Sequence, residues 1–408
     1  MRLSSYISSL LKFARRRKRR ALLTPEEFEK TERKLPPNVL TLQFVWYLQD
    51  VPFKDIDAEK VDTPPFCDIA GIRHVLLSLV SEIYEKESKA IIVLSDPGGG
   101  KTTFVKKLIS MLNEYKASVK TAYVNVRDVG AETCRVLVRL VDELSEELIE
   151  IIEVSEVKFC RLVAMLNDRV SQLINSHKIV LIVIDNYDEL LVNDYDNAVA
   201  LMRHLASMPM YFKNTSVVIT MTVSNYLRLL KREDFEVITK SFTVVDLRDY
   251  YVKTIDDLVK LAYVHIDRYR MKKIEDPEIA KEAIKILNKN PLHPLTKDAL
   301  SLLFLFYGAR TPREYVIVLH DIFETAAKAR VVKIDDRFVA SYLKTDIPKL
   351  QLLKKGLSQG MLLGGFMGIG TAFFVLGILV GKYDLAAYGI VLTFIGFLLY
   401  MNAQKAKY

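Results

Sequence analysis

A short apolar run at residues 91–94 leads directly into a glycine-rich turn, and a helical pattern follows over residues 104–113. The turn consists of Ser95, Asp96, Pro97, Gly98, Gly99, Gly100, Lys101, Thr102 and Thr103. A strand, a glycine turn and the first turn of a helix together point several backbone N–H groups at one spot, where they attract an anion. The sequence therefore restricts the chain to folds in which a phosphate-binding loop connects a buried strand to the helix that follows it.

This loop predicts a site for ATP with Mg²⁺. Lys101 is placed to reach the β- and γ-phosphates, and the hydroxyl of Thr102 is placed to hold Mg²⁺. Ser95 stands where the P-loop pattern has its first glycine, and the three consecutive glycines at 98–100 make this departure tolerable. We expect nucleotide binding here and regard an incidental glycine-rich turn as the alternative.

A second buried strand is predicted at residues 179–184, and it ends in Asp185. An acid at the carboxyl end of a parallel strand next to the P-loop strand would complete the Mg²⁺ shell. The next residue, where a water-activating carboxylate often lies, is Asn186. The sequence therefore assigns that role to Asp188 or Glu189, with slow hydrolysis as the alternative.

Three further strands are predicted, at residues 122–126, 217–222 and 242–245. Thr222 ends the second of these, at the place where a sensor of the γ-phosphate would lie, and it is the first choice for that role, ahead of Ser224 and Asn225. Because Thr favours strands in any case, a residue that merely finishes the strand is an equally good interpretation.

From about residue 246 the apolar residues recur at helical spacing, which predicts a helical lid. A turn at residues 308–313 precedes a helix at about 314–330 and a shorter one that begins near residue 334. An arginine in such a turn, Arg310 or Arg313, can reach back to a nucleotide phosphate. Taken alone, either arginine is more simply a solvated surface group.

The C-terminal part of the chain predicts a membrane anchor. No charged residue lies between Lys355 and Lys382, and a second uncharged stretch covers residues 385–404. At ~1.5 Å per residue the first stretch crosses a ~30 Å hydrocarbon core, and the second is near the lower limit. We expect a two-helix transmembrane hairpin, with a pair of buried helices in a soluble core as the alternative. Lysines on both sides of the hairpin place both termini and the ATPase domain in the cytoplasm, in a multi-pass protein of the cell membrane.

The formal net charge of +8 comes from the N-terminal segment. Residues 1–20 hold eight of the 58 basic residues and no acid, so the remainder balances at 50 basic against 50 acidic residues. Leu3, Ile7 and Leu10 share one side of a helix, which predicts an amphipathic segment lying on anionic lipid. A solvated tail that touches nucleic acid is the alternative. Three widely separated cysteines exclude a disulfide framework and indicate an intracellular, thiol-reduced protein.

The order of these motifs along the chain resembles that of the AAA+ ATPases. The resemblance is to the branch that contains initiator and origin-recognition proteins, the transposition ATPase TniB and the secretion-pathway ATPase ExeA. The resemblance covers roughly residues 45–343. It rests on a short Pro-Phe entry segment at Val51, Pro52 and Phe53, on the P-loop, on the strand ending in Asp185 and on the lid pattern at 308–339. It implies that Arg313 acts as sensor 2 and that the chain forms homo-oligomers. The chain departs from the branch in having neither a winged-helix domain after the lid nor an exported domain after the hairpin.

Four parts are thus predicted: a basic amphipathic segment (1–35), a P-loop ATPase domain (36–245), a helical lid domain (246–345) and a transmembrane helical hairpin (346–408). The predicted fold class is α/β, a P-loop αβα sandwich with a parallel sheet, joined to the lid and the hairpin. The predicted function is that of a membrane-anchored cytoplasmic AAA+ ATPase, which hydrolyses ATP to assemble or remodel an unidentified protein partner at the membrane. The alternatives are a low-turnover nucleotide switch or scaffold and a membrane-tethered, DNA-handling ATPase.

Overall fold

The computed structural model describes residues 41–345, except 55–59, 62–63, 86, 115–118, 146–157, 177, 232–239, 273 and 275–276, together with Asp384, Tyr388 and Ile390. The basic N-terminal segment lies outside the described residues, and so does the predicted membrane hairpin apart from those three positions. Within the part of the chain that the structure describes, no helix is both long and apolar enough to cross a bilayer. The hairpin remains a prediction from sequence.

The described residues form one parallel sheet of five strands in the order β2-β3-β4-β1-β5. The strands are β1 (Ala90–Ser95), β2 (Val119–Asn125), β3 (Ile179–Asp185), β4 (Thr215–Thr222) and β5 (Phe242–Asp246). Every residue of β1 and of β3 is buried. Parallel strands covered on both faces consist of nearly continuous apolar runs, which is why the sequence reveals them. The predicted α/β class with a parallel sheet is confirmed.

The order of the strands corrects one expectation. The sequence placed the strand ending in Asp185 beside the P-loop strand, but β4 lies between them. Ser95 pairs in register with Thr222, and Asp185 pairs with Asn125 of β2 on its other side. A helical crossover can skip a strand position, so the order of strands along the chain does not fix their order in the sheet. Thr222 therefore ends the strand that separates β1 from β3.

Helices cover both faces of the sheet. They are α1 (Ile72–Tyr84), α2 (Lys101–Glu114), α3 (Val126–Val129), α4 (Thr133–Leu144), α5 (Phe159–Asn175), α6 (Asp188–Asn193), α7 (Tyr195–Tyr211) and α8 (Val223–Leu230). Alternate strand residues face opposite sides, so Ile91 and Val93 pack with α1 and α2, whereas Ile92 and Leu94 pack with α4, α5 and α7. This is the predicted αβα sandwich.

After β5 and a short 3₁₀ turn at Leu247–Tyr250, the described residues are helical. The helices are α9 (Ile255–Arg268), α10 (Pro277–Lys289), α11 (Lys297–Tyr307), α12 (Pro312–Lys328) and α13 (Asp336–Tyr342). Thr254 and Thr311 begin α9 and α12 with reciprocal capping boxes, each of which satisfies helix-terminal N–H groups. α12 begins within the Gly308–Arg313 region that was predicted to form a turn, so Arg313 lies in its first turn.

The segment before the sheet packs with these later helices. The predicted ATPase domain began at residue 36, whereas the structure places Trp46 and Phe53 in the core of the helical part. Both rings contact Phe323, with centroid distances of 5.6 Å and 5.4 Å, and the Trp46 indole donates a hydrogen bond to the Val331 carbonyl at 2.9 Å. The helical part is therefore built from two segments that lie on either side of the sheet in the sequence.

Candidate functional site

The turn between β1 and α2 has the backbone conformation of a phosphate-binding loop. Gly98 and Gly100 have φ angles of +81° and +94°, a region that residues with a Cβ rarely adopt. Gly99 is required for a different reason, because a Cβ there would lie 2.7 Å from both the Ser95 Cβ and the Tyr251 hydroxyl. All three glycines of the loop thus have a conformational or steric role.

Ser95, which departs from the P-loop pattern, packs into the loop without distorting it. Its side chain is buried against Gly99, and its hydroxyl donates to the Asp96 carbonyl at 2.8 Å. The Lys101 ammonium lies 3.4 Å from the Ser95 hydroxyl and 3.5 Å from its carbonyl. Ser95 therefore contacts Lys101, the predicted phosphate-binding lysine, and does not block the loop.

Lys101 is itself buried, with 8% of its surface exposed. Burial lowers the pKa of its ammonium, while the nearby carboxylates of Asp188 and Asp185 act in the opposite direction. A buried cation with incomplete compensation attracts an anion, so the lysine is prepared for a phosphate group.

Asp185 lies behind the cavity and does not line it. Its carboxylate is fully buried and accepts hydrogen bonds from the Thr220 hydroxyl at 2.5 Å, the Tyr123 hydroxyl at 3.1 Å and the Asn186 N–H at 3.1 Å. These bonds fix its orientation at the carboxyl end of β3.

Asn186 occupies the position where a water-activating carboxylate often lies. Its φ of +60° places it in the left-handed region, and its side-chain amide donates to the Asn125 side chain at 2.9 Å. An amide does not accept a proton from water near neutral pH, so this residue cannot act as a general base.

The structure separates the two acids that follow. Asp188 lines the cavity and accepts hydrogen bonds from the Thr222 N–H and hydroxyl, both at 2.9 Å, and from the Asn225 amide at 2.8 Å. Glu189 lies outside the cavity lining, where its carboxylate pairs with the Arg127 guanidinium at 3.1 Å. Of these two candidates, Asp188 is the one that faces the nucleotide space.

The lid approaches the loop through Arg313. Its backbone N–H donates to the Gly98 carbonyl at 3.4 Å, and a Cβ on Gly98 would lie 2.9 Å from the Arg313 Cβ. Its side chain lines the cavity, whereas Arg310 pairs with Glu314 at 3.5 Å outside it. Of the two arginines considered from sequence, Arg313 is the one at the site.

One end of the cavity is apolar and was not predicted from the sequence. It is lined by Pro64, Pro65, Phe66, Cys67, Ile69, Ile72, Leu247, Tyr250, Leu261 and His265. Phe53, which lies in the Pro-Phe segment singled out from the sequence, stacks on His265 with centroids 5.1 Å apart. An apolar space of this kind beside a phosphate loop suits a nucleobase. The signal that could have revealed it is the Pro-Pro-Phe run at 64–66.

Of the loop residues, Pro97 to Thr103 line the cavity, together with Asp188, Thr222 and Arg313 from three other elements. Ser95, Asp96, Asp185 and Glu189 are not part of its lining. The Asp96 N–H donates to the Tyr251 hydroxyl at 2.8 Å, so the front of the loop is tied to the start of the lid.

The residues present fit Mg²⁺. Thr102 and Asp188 line the cavity, whereas Asp185, which the sequence predicted to complete the Mg²⁺ shell, is buried outside the cavity lining. Oxygen donors of this kind are the ligands that Mg²⁺ prefers.

Comparison with known proteins agrees with this geometry. Residues 84–230 match the family model described as an AAA domain, a segment that contains the loop, β1 to β4 and α6. A search of curated proteins gives no significant match. The match and the loop geometry together support an AAA+ P-loop fold for this part of the chain.

Several solved structures are similar in outline. A structure of Drosophila ORC bound to DNA has 12% identity and a TM-score of 0.46, covering 93% of this chain and 83% of that one. Cdc6p from Pyrobaculum aerophilum has 13% identity and a TM-score of 0.46, covering 81% of each chain. The ORC2 protein of Aeropyrum pernix, in ADPNP and ADP complexes, has 13% identity and a TM-score of 0.48, covering 71% of each chain. Similarities at this level do not support a statement about function. Residues 84–230 are thus the part of the chain that is similar to a known family, described as an AAA domain.

Proposed function

We propose that this protein binds ATP with Mg²⁺ and hydrolyses it in the cavity beside the loop. The observation that carries the proposal is that Lys101, Asp188, Thr222 and Arg313, which belong to four different elements, line one space. Such a convergence of a buried cation, a carboxylate and a glycine loop is typical of phosphoryl-transfer sites.

Each residue has a role that its contacts permit. The loop N–H groups and the Lys101 ammonium bind the phosphates, and the apolar end of the cavity receives the base. Thr102 and Asp188, which line the cavity, would hold Mg²⁺, and the ion would neutralise charge on the phosphate oxygens. Asp188 orients the attacking water, because its carboxylate faces the cavity and is fixed by Thr222 and Asn225.

Arg313 connects the nucleotide to the lid. Its backbone is bonded to Gly98, and its side chain faces the cavity from the first turn of α12. A phosphate that attracts this guanidinium moves the start of α12 relative to the loop. The same helix carries Phe323, which packs against Trp46 and Phe53, so the movement reaches the segment before the sheet.

The test is ATP binding and phosphate release by the full chain and by Lys101→Ala. Lys107→Ala is the matched control, since Lys107 lies on the same helix and its ammonium pairs with Glu114 at 3.9 Å. We expect Lys101→Ala to weaken ATP binding by about tenfold or more, because a charge-assisted contact is lost. Equal affinities of Lys101→Ala and the parent protein would refute the site.

A second function, a nucleotide switch with very slow turnover, is favoured by one observation. Asn186 cannot act as a base, and its amide is held by Asn125 at 2.9 Å. A burst of at most one phosphate per chain would support the switch. Many turnovers that are lost in Asp188→Asn would exclude it.

The proposal extends to the membrane through the sequence of the C-terminal part. The apolar stretches at 361–380 and 385–401 would anchor the chain as a multi-pass protein of the cell membrane, with the ATPase part in the cytoplasm, where it acts on a protein partner. Flotation of the full chain with anionic vesicles tests this. A hairpin keeps the protein on the vesicles at 1 M salt, whereas a basic tail alone is released, because salt at ~1 M screens surface charges beyond ~3 Å.

Two further properties are proposed, the first from the resemblance alone and the second from the resemblance together with the basic N-terminal run. We propose that the protein forms homo-oligomers, which light scattering with and without ATP tests directly. DNA remains a second candidate partner through the basic residues at 15–20. Binding to DNA that weakens steeply with salt would support this role, and no binding at low salt would end it.

A further inference from the structure

Arg127 stands at the same edge of the sheet as the acids of the site. It lies in the first turn of α3, directly after β2, and its N–H donates to the Asn125 side chain at 3.2 Å. Because Asn125 pairs with Asp185 in register, α3 and α6 leave the sheet side by side. The position of Arg127 is therefore fixed by the sheet and by a side-chain cap.

The Arg127 side chain bridges the cavity and the acid outside it. It lines the cavity together with Lys101, Asp188 and Arg313, while its Nε donates to the Glu189 carboxylate at 3.1 Å. Its positive charge adds to the effect of burial in lowering the pKa of Lys101. Three cationic side chains, those of Lys101, Arg127 and Arg313, thus line the same space, and the acid that pairs with Arg127 lies outside its lining.

We propose that Arg127 breaks its ion pair with Glu189 and binds the terminal phosphate of a nucleoside triphosphate instead. The pair with Glu189 is half exposed, at 51% and 37% of the two side chains, and pairs of that kind contribute little stability in water. A phosphate in the cavity offers the guanidinium two parallel charge-assisted hydrogen bonds in a drier environment. This inference rests on the proposed ATP site.

The exchange makes Arg127 a sensor of the nucleotide state within one chain. A diphosphate lacks the terminal group, so Arg127 stays with Glu189 when ADP is bound. A triphosphate releases Glu189, which lies in the first turn of α6 next to Asp188. The nucleotide thereby changes the charge beside the carboxylate that orients water.

The experiment measures dissociation constants of the full chain for ADP and for a non-hydrolysable ATP analogue with Mg²⁺, by calorimetry at one salt concentration. Arg127→Ala should weaken the affinity for the triphosphate by about tenfold and change the affinity for ADP by less than about twofold. Glu189→Gln removes the acid that competes for Arg127. It should raise the affinity for the triphosphate by about two- to fivefold and leave the affinity for ADP unchanged.

Arg135→Ala is the matched control. Arg135 is also 51% exposed and pairs through Nε with an acid, Glu132, at 2.9 Å, but it does not line the cavity. We expect no change in either constant. An unchanged ratio of the two constants in Arg127→Ala, an equal loss for both nucleotides, or the same loss in Arg135→Ala would each overturn the inference. If the parent binds no ATP, or binds it independently of Lys101, the proposed function fails instead.

Discussion

The carboxylate of Asp188 accepts hydrogen bonds from both the backbone N–H and the hydroxyl of Thr222, each at 2.9 Å. The first residue of α6 is thereby fixed to the last residue of β4, the strand that lies between β1 and β3. Under the proposed function, Asp188 orients the attacking water and Thr222 is the candidate for sensing the γ-phosphate. These hydrogen bonds would then couple the two roles, because a phosphate that displaces Thr222 would move Asp188 with it.

Asp188→Asn should strongly reduce turnover and leave nucleotide binding nearly intact. We expect phosphate release to fall by on the order of a hundredfold, because general-base and water-orienting groups contribute about that much. Affinity for a non-hydrolysable ATP analogue should change by less than about threefold, since Lys101 and the loop remain. Steady-state phosphate release and calorimetry measure the two quantities.

Glu189→Gln is the control for this change, because Glu189 is adjacent in sequence but pairs with Arg127 outside the cavity lining. It should retain turnover within about an order of magnitude of the parent, a smaller loss than that of a general base. If Glu189→Gln loses as much turnover as Asp188→Asn, Asp188 is not the acid that alone orients the attacking water.

Thr222→Val removes one of the hydrogen bonds that fix Asp188 and keeps the shape of the side chain. The backbone N–H still donates, so we expect a moderate loss of turnover, by about fivefold to tenfold, with unchanged nucleotide affinity. Thr222→Ser keeps the hydroxyl and should retain most of the activity. Equal turnover of the valine variant and the parent would mean that the Thr222 hydroxyl only finishes the strand.

The sequence predicted the sheet well because its central strands are buried on both faces. Such strands are continuous apolar runs, and β1 and β3 were located to within a residue at each end. The position of β4 between them was not predicted, since it depends on how the helical crossovers pack.

The choice between neighbouring candidates also required the structure. Asp188 and Glu189 are adjacent in sequence, and Arg310 and Arg313 lie three residues apart, yet only one of each pair lines the cavity. Side-chain direction at the start of a helix is set by its cap and by the packing of the helix. No spacing rule in the sequence contains that information.

The apolar end of the cavity was missed for a related reason. Its residues come from the segment before α1, from α1 itself, from the turn after β5 and from α9, and no motif connects these parts. Phe53 was noted from the sequence, but it is completely buried and does not line the cavity; it stacks on His265, which does. Distant segments that meet through packing leave no periodic signal.

Gly99→Ala tests the close packing of the loop. Its Cβ would lie 2.7 Å from the Ser95 Cβ and 2.8 Å from the Ser95 hydroxyl, so the loop must shift, at a cost of about 1–3 kcal/mol. We expect weaker ATP binding and a lower melting temperature. Calorimetry and thermal unfolding measure the two effects.

Ser95→Gly supplies the matching rescue, because it removes two of the three closest contacts and leaves the Tyr251 hydroxyl. The double variant Ser95→Gly, Gly99→Ala should bind ATP more tightly than Gly99→Ala alone. If the double variant is as impaired as the single one, contact with Ser95 does not explain the requirement for glycine.

Lys101→Met should separate stability from function. Burial lowers the pKa of Lys101, which means that folding removes the charged ammonium from water at a cost. Methionine fills similar space without a charge. We expect the nucleotide-free variant to melt about 1–3 °C above the parent and to lose the stabilisation that an ATP analogue gives the parent.

The pH dependence of the stability difference between Lys101→Met and the parent provides an independent check that burial of the ammonium is the cause. Because the pKa of Lys101 is lower in the folded state, the unfolded chain binds more protons between the folded and unfolded values, and this lysine favours folding increasingly as the pH rises through that window. The advantage of Lys101→Met should therefore shrink from pH 7 towards pH 10. Buried tyrosines that titrate at high pH are present in both proteins and cancel in the difference. A variant that is less stable than the parent at pH 7 would show that contacts of the ammonium with Ser95 outweigh the cost of its burial.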